Sequence, residues 1–203
     1  MKRVTKVAWT TIVIVIIVLI GVGVFLIKPE KEVQYFDASK SNTVDTNLFT
    51  NKDIDLKTFT LNVNIDENKL NSLIATKSEV KDFKAEIVDG KIIFYKKVQL
   101  IGALNTQYKM VFTLNTEANN IVMLLESAHI GKVKIANSTV MQEMKKNENQ
   151  FMSVDEAQSK ITVNLQNVKI SDAKIEDNII KIKVDFSQYL KNGLGFIKDF
   201  FNK

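Results

Sequence analysis

The chain contains no cysteine. That excludes disulfides, thiolate metal sites, Cys–His catalysis and attachment of a lipid to a thiol, so packing has to hold the folded part together. Histidine is almost as scarce. The single His129 rules out His-rich metal sites, and a Ser-His-Asp triad would have to be built on it. It stands in the apolar stretch LLESAHI and reads as a structural histidine. On a regular strand Glu126, three residues earlier, points to the opposite face and does not pair with it. The sequence holds neither a glycine-rich phosphate loop nor a G-x-S-x-G elbow. Asp53, Asp55, Asp66 and Glu67 are the acids closest to a hard-cation cluster, but they lack EF-hand spacing. Asp66, Asp89 and Asp177 read as cap and turn residues. These absences point away from an enzyme and imply no catalytic residue, no metal and no cofactor.

A second long apolar run is also missing. The first, Val7 to Ile27, carries no charged side chain and matches the ~20 apolar residues that cross ~30 Å of hydrocarbon at ~1.5 Å per residue. Lys2, Arg3 and Lys6 precede it without an acid, whereas Lys28 and Lys31 alternate with Glu30 and Glu32 after it. Positive charge stays on the cytoplasmic side, so the N-terminus is expected inside and the remainder outside. Trp9 falls near the inner interface. The run exceeds the ~7–15 residues of a signal h-region and no A-x-A site follows, which favours an uncleaved anchor at the cell membrane. Gly21-Val22-Gly23 is not a G-x-x-x-G pair, and no helix dimerisation is read from it. The only proline, Pro29, lies just beyond, where a helix can stop. The expected organisation is a cytoplasmic flank over 1–6, a transmembrane anchor over 7–27, a stalk over 28–57, an extracytoplasmic α+β domain over 58–186 and an amphipathic helix over 187–203.

Charge of one sign is not in large excess. There are 28 basic and 23 acidic side chains, and the pI is near 9.2. Lys2, Arg3 and Lys6 supply three of the five net positive charges, leaving +2 outside. Basic and acidic residues are interleaved there, so no nucleic-acid partner is expected.

Periodicity outlines the body. Phe59, Leu61 and Val63 alternate on one face of a strand. Asp66 caps a helix in which Leu70, Leu73 and Ile74 form the apolar face, ending near Lys77. Ala85 and Ile87 lead to Asp89-Gly90, a two-residue hairpin signal. After the return strand, Gly102 breaks the run, and Tyr108, Met110, Phe112 and Leu114 alternate up to the polar turn TEANN at 116–120. Ile121 to Leu125 is apolar on both faces and must be covered twice, by helices, a folded-over sheet or a bound apolar ligand. Thr139 with Gln142 forms a capping box at a helix start, with Val140, Met141 and Met144 on its buried face and Phe151 extending the packing. Ser153 and Glu156 repeat the box before a turn. Ile161, Val163 and Leu165 alternate in a strand. A hairpin at Asp177-Asn178 then presents Ile180, Ile182, Val184 and Phe186 on one face. In the tail, Leu190, Leu194, Ile197 and Phe201 recur with helical period, and Gly193 and Gly195 weaken it by about 1 kcal/mol each.

This order of elements resembles the YpmS-like family of membrane-anchored extracytoplasmic proteins of Gram-positive bacteria. The resemblance runs over about residues 58–186 and rests on LNSLI, LLESAHIGKVKIANSTVMQEM, SKITVNLQNVKI and IEDNIIKIKVDF, with the Gly131-Lys132 turn before a helix. Two departures are Ala136, where the family favours proline, and the aromatic tail after Phe186. The resemblance implies a curved antiparallel sheet packed with a few helices, similar to tubular lipid-binding modules, and transfers no catalytic residue. Two expectations follow. A lipid or other apolar ligand is held by Leu70, Leu73, Ile74, Met110, Phe112, Met123, Leu125, Met141 and Met144. Alternatively, exposed sheet edges recruit another envelope protein.

Overall fold

Alternating apolar and polar residues build two antiparallel sheets that bury their apolar faces against each other and against two helices. The computed structural model describes residues 18, 21–23, 25–36, 53–77, 82–99, 105–165 and 168–187. Most of the expected anchor, the middle of the expected stalk and the tail beyond Ser187 lie outside them. Among the described residues no helix is long and apolar enough to cross a membrane. The elements are β1 (Ile54–Asp55), β2 (Thr60–Ile65), α1 (Glu67–Lys77), β3 (Phe83–Val88), β4 (Lys91–Gln99), β5 (Asn105–Glu117), β6 (Asn120–Ile130), β7 (Val133–Ile135), α2 (Asn137–Lys145), β8 (Met152–Asp155), β9 (Lys160–Val163), β10 (Lys169–Glu176) and β11 (Ile179–Asp185). The class is α+β.

The larger sheet has seven strands in the order β3-β4-β5-β6-β9-β8, with β7 also paired to β6. The smaller has the order β1-β2-β11-β10. Hairpin chemistry sets the registers. Asp89 (φ 51) and Gly90 (φ 72) turn β3 into β4, and Asp177 (φ 54) and Asn178 (φ 58) turn β10 into β11. Ala118 (φ 49) and Asn119 (φ 65) turn β5 into β6. Positive φ at both positions matches the strand twist, which is why Asp, Asn and glycine hold all of these positions but Ala118.

One core joins the sheets. Leu61, Val63, Ile65 and Ile180 of the small sheet pack with Ile87 and Ile92 of the large one, and Leu70 and Leu73 of α1 close over them. Ile170 and Ala173 of β10 lie on Ile121, beside Leu114. At the other end of the large sheet, α2 packs Met141 on Phe112, Leu125, Val154 and Ile161.

Several expectations are corrected. Phe59 precedes β2 with φ 53, is partly exposed, and sets its ring edge-on to Phe186; Ile65 is the third buried residue of that strand. The first helix is capped as expected, because Asp66 Oδ1 accepts the Lys69 N–H at 2.8 Å. The second begins at Asn137 rather than Thr139, with Ala136 in the cap position and no side-chain cap bond. Ser153 lies inside β8, and the expected turn follows it over residues 156–159. Phe151 and Leu165 are exposed. The expected stalk also departs from a free linker, since residues 30–36 lie against the large sheet. Lys109 Nζ holds Glu30 at 2.9 Å, Lys31 Nζ holds Glu86 at 2.8 Å, and the Phe36 N–H bonds the Phe83 carbonyl at 2.7 Å.

Candidate functional site

The expected ligand-lining residues do not form one group. Six of them, Met110, Phe112, Met123, Leu125, Met141 and Met144, meet between the large sheet and α2, joined by Phe94, Val140, Met152, Val154 and Ile161. Leu70 and Leu73 pack on a different cluster of the core, under α1. Ile74, half-buried, also lies on α1. The α2 group forms because residues 140, 141 and 144 share one helical face. Met141 is fully buried, whereas Met110, Met123, Met144 and Met152 are half-buried. The ring of Phe94 meets that of Phe112 edge-on at 5.7 Å. The site is therefore an apolar seam whose centre is closed and whose rim reaches the surface.

What holds α2 on this seam is a break in the sheet. The outer edge of β6 pairs with β9 over Ile121–Leu124 and with β7 over Ala128–Ile130. Between them Leu125 is left to other partners. Its N–H donates to the Ser159 carbonyl at 2.9 Å, and its carbonyl accepts Asn137 Nδ2 at 2.8 Å. The first residue of α2 thus completes the hydrogen bonding of the strand that it covers. At the far end, Lys145 bonds Glu156 at 2.9 Å. That pair holds the Glu156 carboxyl below its ordinary range and the Lys145 ammonium above its own.

The face opposite Phe112, that of Val111, carries polar groups beside apolar ones. There the structure overturns the expected separation of Glu126 from His129. A β-bulge places Leu125 opposite Phe112 and Ser127 opposite Val111. The additional residue shifts the alternation, so Leu125 and Ala128, three apart, are both buried on the Phe112 side. Glu126 and His129 then share the other face. Glu126 is taken by Lys91, at 2.5 Å. His129 stands in register between Lys109 and Lys134, and its buried Nδ1 has no hydrogen-bond partner among the described residues. On the same face Tyr95 is buried, which, with the neighbouring Glu86 and Glu30, pushes its phenol up to about 12. The hydrogen bond from Lys109 holds the Glu30 carboxyl below the ordinary carboxylate range.

The four acids considered for a cation have other uses. Asp55 Oδ1 accepts the N–H groups of Lys57 and Thr58, Asp66 caps α1, and Glu67 pairs with Lys84. Asp53 also has an interaction partner. Among the described residues no three His, Asp or Glu side chains gather as metal ligands.

A further polar feature escaped the sequence. Asn71, on α1, is 1 % exposed, and its amide bonds both the N–H and the carbonyl of Ala85 as well as the Glu67 carbonyl. It stitches α1 to β3 and serves structure. In comparisons with known proteins, no family model, no curated protein and no solved structure matches this chain.

Proposed function

We propose that this protein is a single-pass, membrane-anchored extracytoplasmic module that performs no catalysis and takes an apolar ligand, a lipid acyl chain, between its large sheet and α2. The observation that carries the reading is the convergence of methionine. Every methionine except Met1 belongs to the α2 seam: Met110, Met123, Met141, Met144 and Met152. Unbranched thioether chains repack at low cost around a flexible guest. The helix that covers them is short, and its start lacks a side-chain cap. A helix of that length owes its stability to docking rather than to itself. The apolar run Val7 to Ile27 keeps the seam near bilayer lipid, and kinship with the YpmS-like family is part of the same proposal.

The test uses the full chain, purified in mild detergent and examined by native mass spectrometry. One copurifying lipid per chain is expected, and Met144→Glu is expected to lose it while the fold persists. A photoactivatable lipid should label peptides of α2 and β6. Lipid-free protein together with labelling spread evenly over the surface would sink the reading. A single stoichiometric protein adduct on crosslinking in membranes, without lipid adducts, would replace it with a scaffold that recruits another envelope protein.

A further inference from the structure

The end of the apolar run is fastened to the body. Leu26 and Ile27 stand in the last helical turn before Pro29, where carbonyls lack partners within the helix. Both carbonyls are satisfied by the body: Leu26 accepts the Lys132 N–H at 2.8 Å, and Ile27 accepts Thr106 Oγ1 at 2.5 Å. Lys132 Nζ lies 3.4 Å from the centre of the Phe25 ring. Gly131 is buried with φ +56, and a Cβ there would collide with the Ile27 carbonyl. The β6–β7 hairpin and the helix end thus fit backbone to backbone.

The surroundings of this joint suit one kind of neighbour. Lys132, Val133 and Lys134 are exposed in the hairpin, and Lys28 is exposed beside it. Phe25 and Leu26 are also exposed, at 59 % and 39 %, and Val133 at 46 %. None of these three lysines has an ion-pair partner among the described residues, whereas the nearby Glu30 is held by Lys109. Glu32 is the other acid of the segment. Exposed apolar side chains ringed by unpaired cations, at the end of a run long enough to span a bilayer, match the boundary between acyl chains and headgroups.

We propose that the β6–β7 hairpin rests on the outer leaflet, with Lys28, Lys132 and Lys134 on the phosphates of anionic lipids and Val133 dipping below them. The body is then clamped at the bilayer surface instead of swinging on a tether. This rests on reading Val7 to Ile27 as a membrane span, and the experiment separates the two.

Because the chain has no cysteine, one introduced thiol takes an environment-sensitive fluorophore at a single position. The full chain is reconstituted in vesicles of phosphatidylcholine alone or with phosphatidylglycerol, carrying the probe at Val133→Cys or at Val18→Cys. The expected result is a Val18 probe shielded from aqueous iodide in both vesicles, and a Val133 probe that shifts to the blue only with phosphatidylglycerol. Lys132→Gln and Lys134→Gln should each weaken that docked state by roughly fivefold, and high salt should abolish it. A Val133 probe that stays in water while the Val18 probe is shielded overturns the clamp and leaves the anchor standing. A Val18 probe open to iodide overturns the anchor and the clamp together.

Discussion

Asn71 is a polar residue beside the apolar face that Leu70, Leu73 and Ile74 form on α1. Its side chain does the work of a strand neighbour by pairing with both backbone groups of Ala85. Asn71→Leu would leave those groups buried without partners, at about 1–3 kcal/mol each. A drop in melting temperature of several degrees is the expected outcome, and an unchanged melt would show that water replaces the amide. Tyr95 makes a separate prediction. Its phenol ionises near 12 in the fold, against about 10 in the unfolded chain. A group whose folded pKa is raised contributes fully below the unfolded value, and that contribution fades as pH rises towards the folded one. Stability should therefore fall between pH 10 and 12 more steeply in the native chain than in Tyr95→Phe, by an amount on the order of 2 kcal/mol. Parallel urea midpoints across that interval would contradict it. None of this was visible in the sequence, because burial of a polar or phenolic side chain depends on what folds over it.

At the scale of elements, α2 and the joint near Gly131 are the informative pieces. Met141 is the only fully buried side chain of α2. Met141→Ala should cost roughly 2–5 kcal/mol, measured as a fall in the urea midpoint. The apolar face at Val140, Met141 and Met144 was legible, because helical period places those positions together. The start was not: the Thr139–Gln142 pattern proposed one cap, while Asn137 was drawn onto the gap in β6 and took the helix start with it. Gly131→Ala meets both a positive φ and the Ile27 carbonyl. The expected result is loss of the joint, seen as amide exchange at Lys132 faster by about tenfold or more, the equivalent of ~1.4 kcal/mol. Glu30 adds a pH dependence to the segment beyond the joint. Its folded pKa is depressed by Lys109, so its contribution is present above the ordinary carboxylate value and is lost as pH falls through the folded one.

In the molecule as a whole, the two sheets share one core. Ile180 of the small sheet contacts the cluster containing Ile87 and Ile92 of the large one. The prediction is a single unfolding transition, with circular dichroism and tyrosine fluorescence superimposing, and Ile180→Ala shifting both together. Two separated transitions would mean that the sheets fold independently. The expected α+β class holds, with antiparallel sheets and few helices.

The local half of this structure is written in the chain itself. Asp89-Gly90 and Asp177-Asn178 determine their hairpins, since few other residues accept positive φ at both turn positions. Alternation places Leu61, Val63, Ile180 and Ile182 on one face, because a strand's period is two. The absence of cysteine and the single histidine also set limits on chemistry without any coordinates. The rest belongs to tertiary structure. A bulge opposite Phe112 moved Glu126 onto the face of His129, and no residue pattern announces a bulge. The turn at Gly131 received the end of the apolar run because two distant backbones happened to fit. The methionines, spread from Met110 to Met152, became one seam only when α2 folded across β5, β6 and β8. Periodicity reports which side of an element is apolar; only packing decides what that side meets.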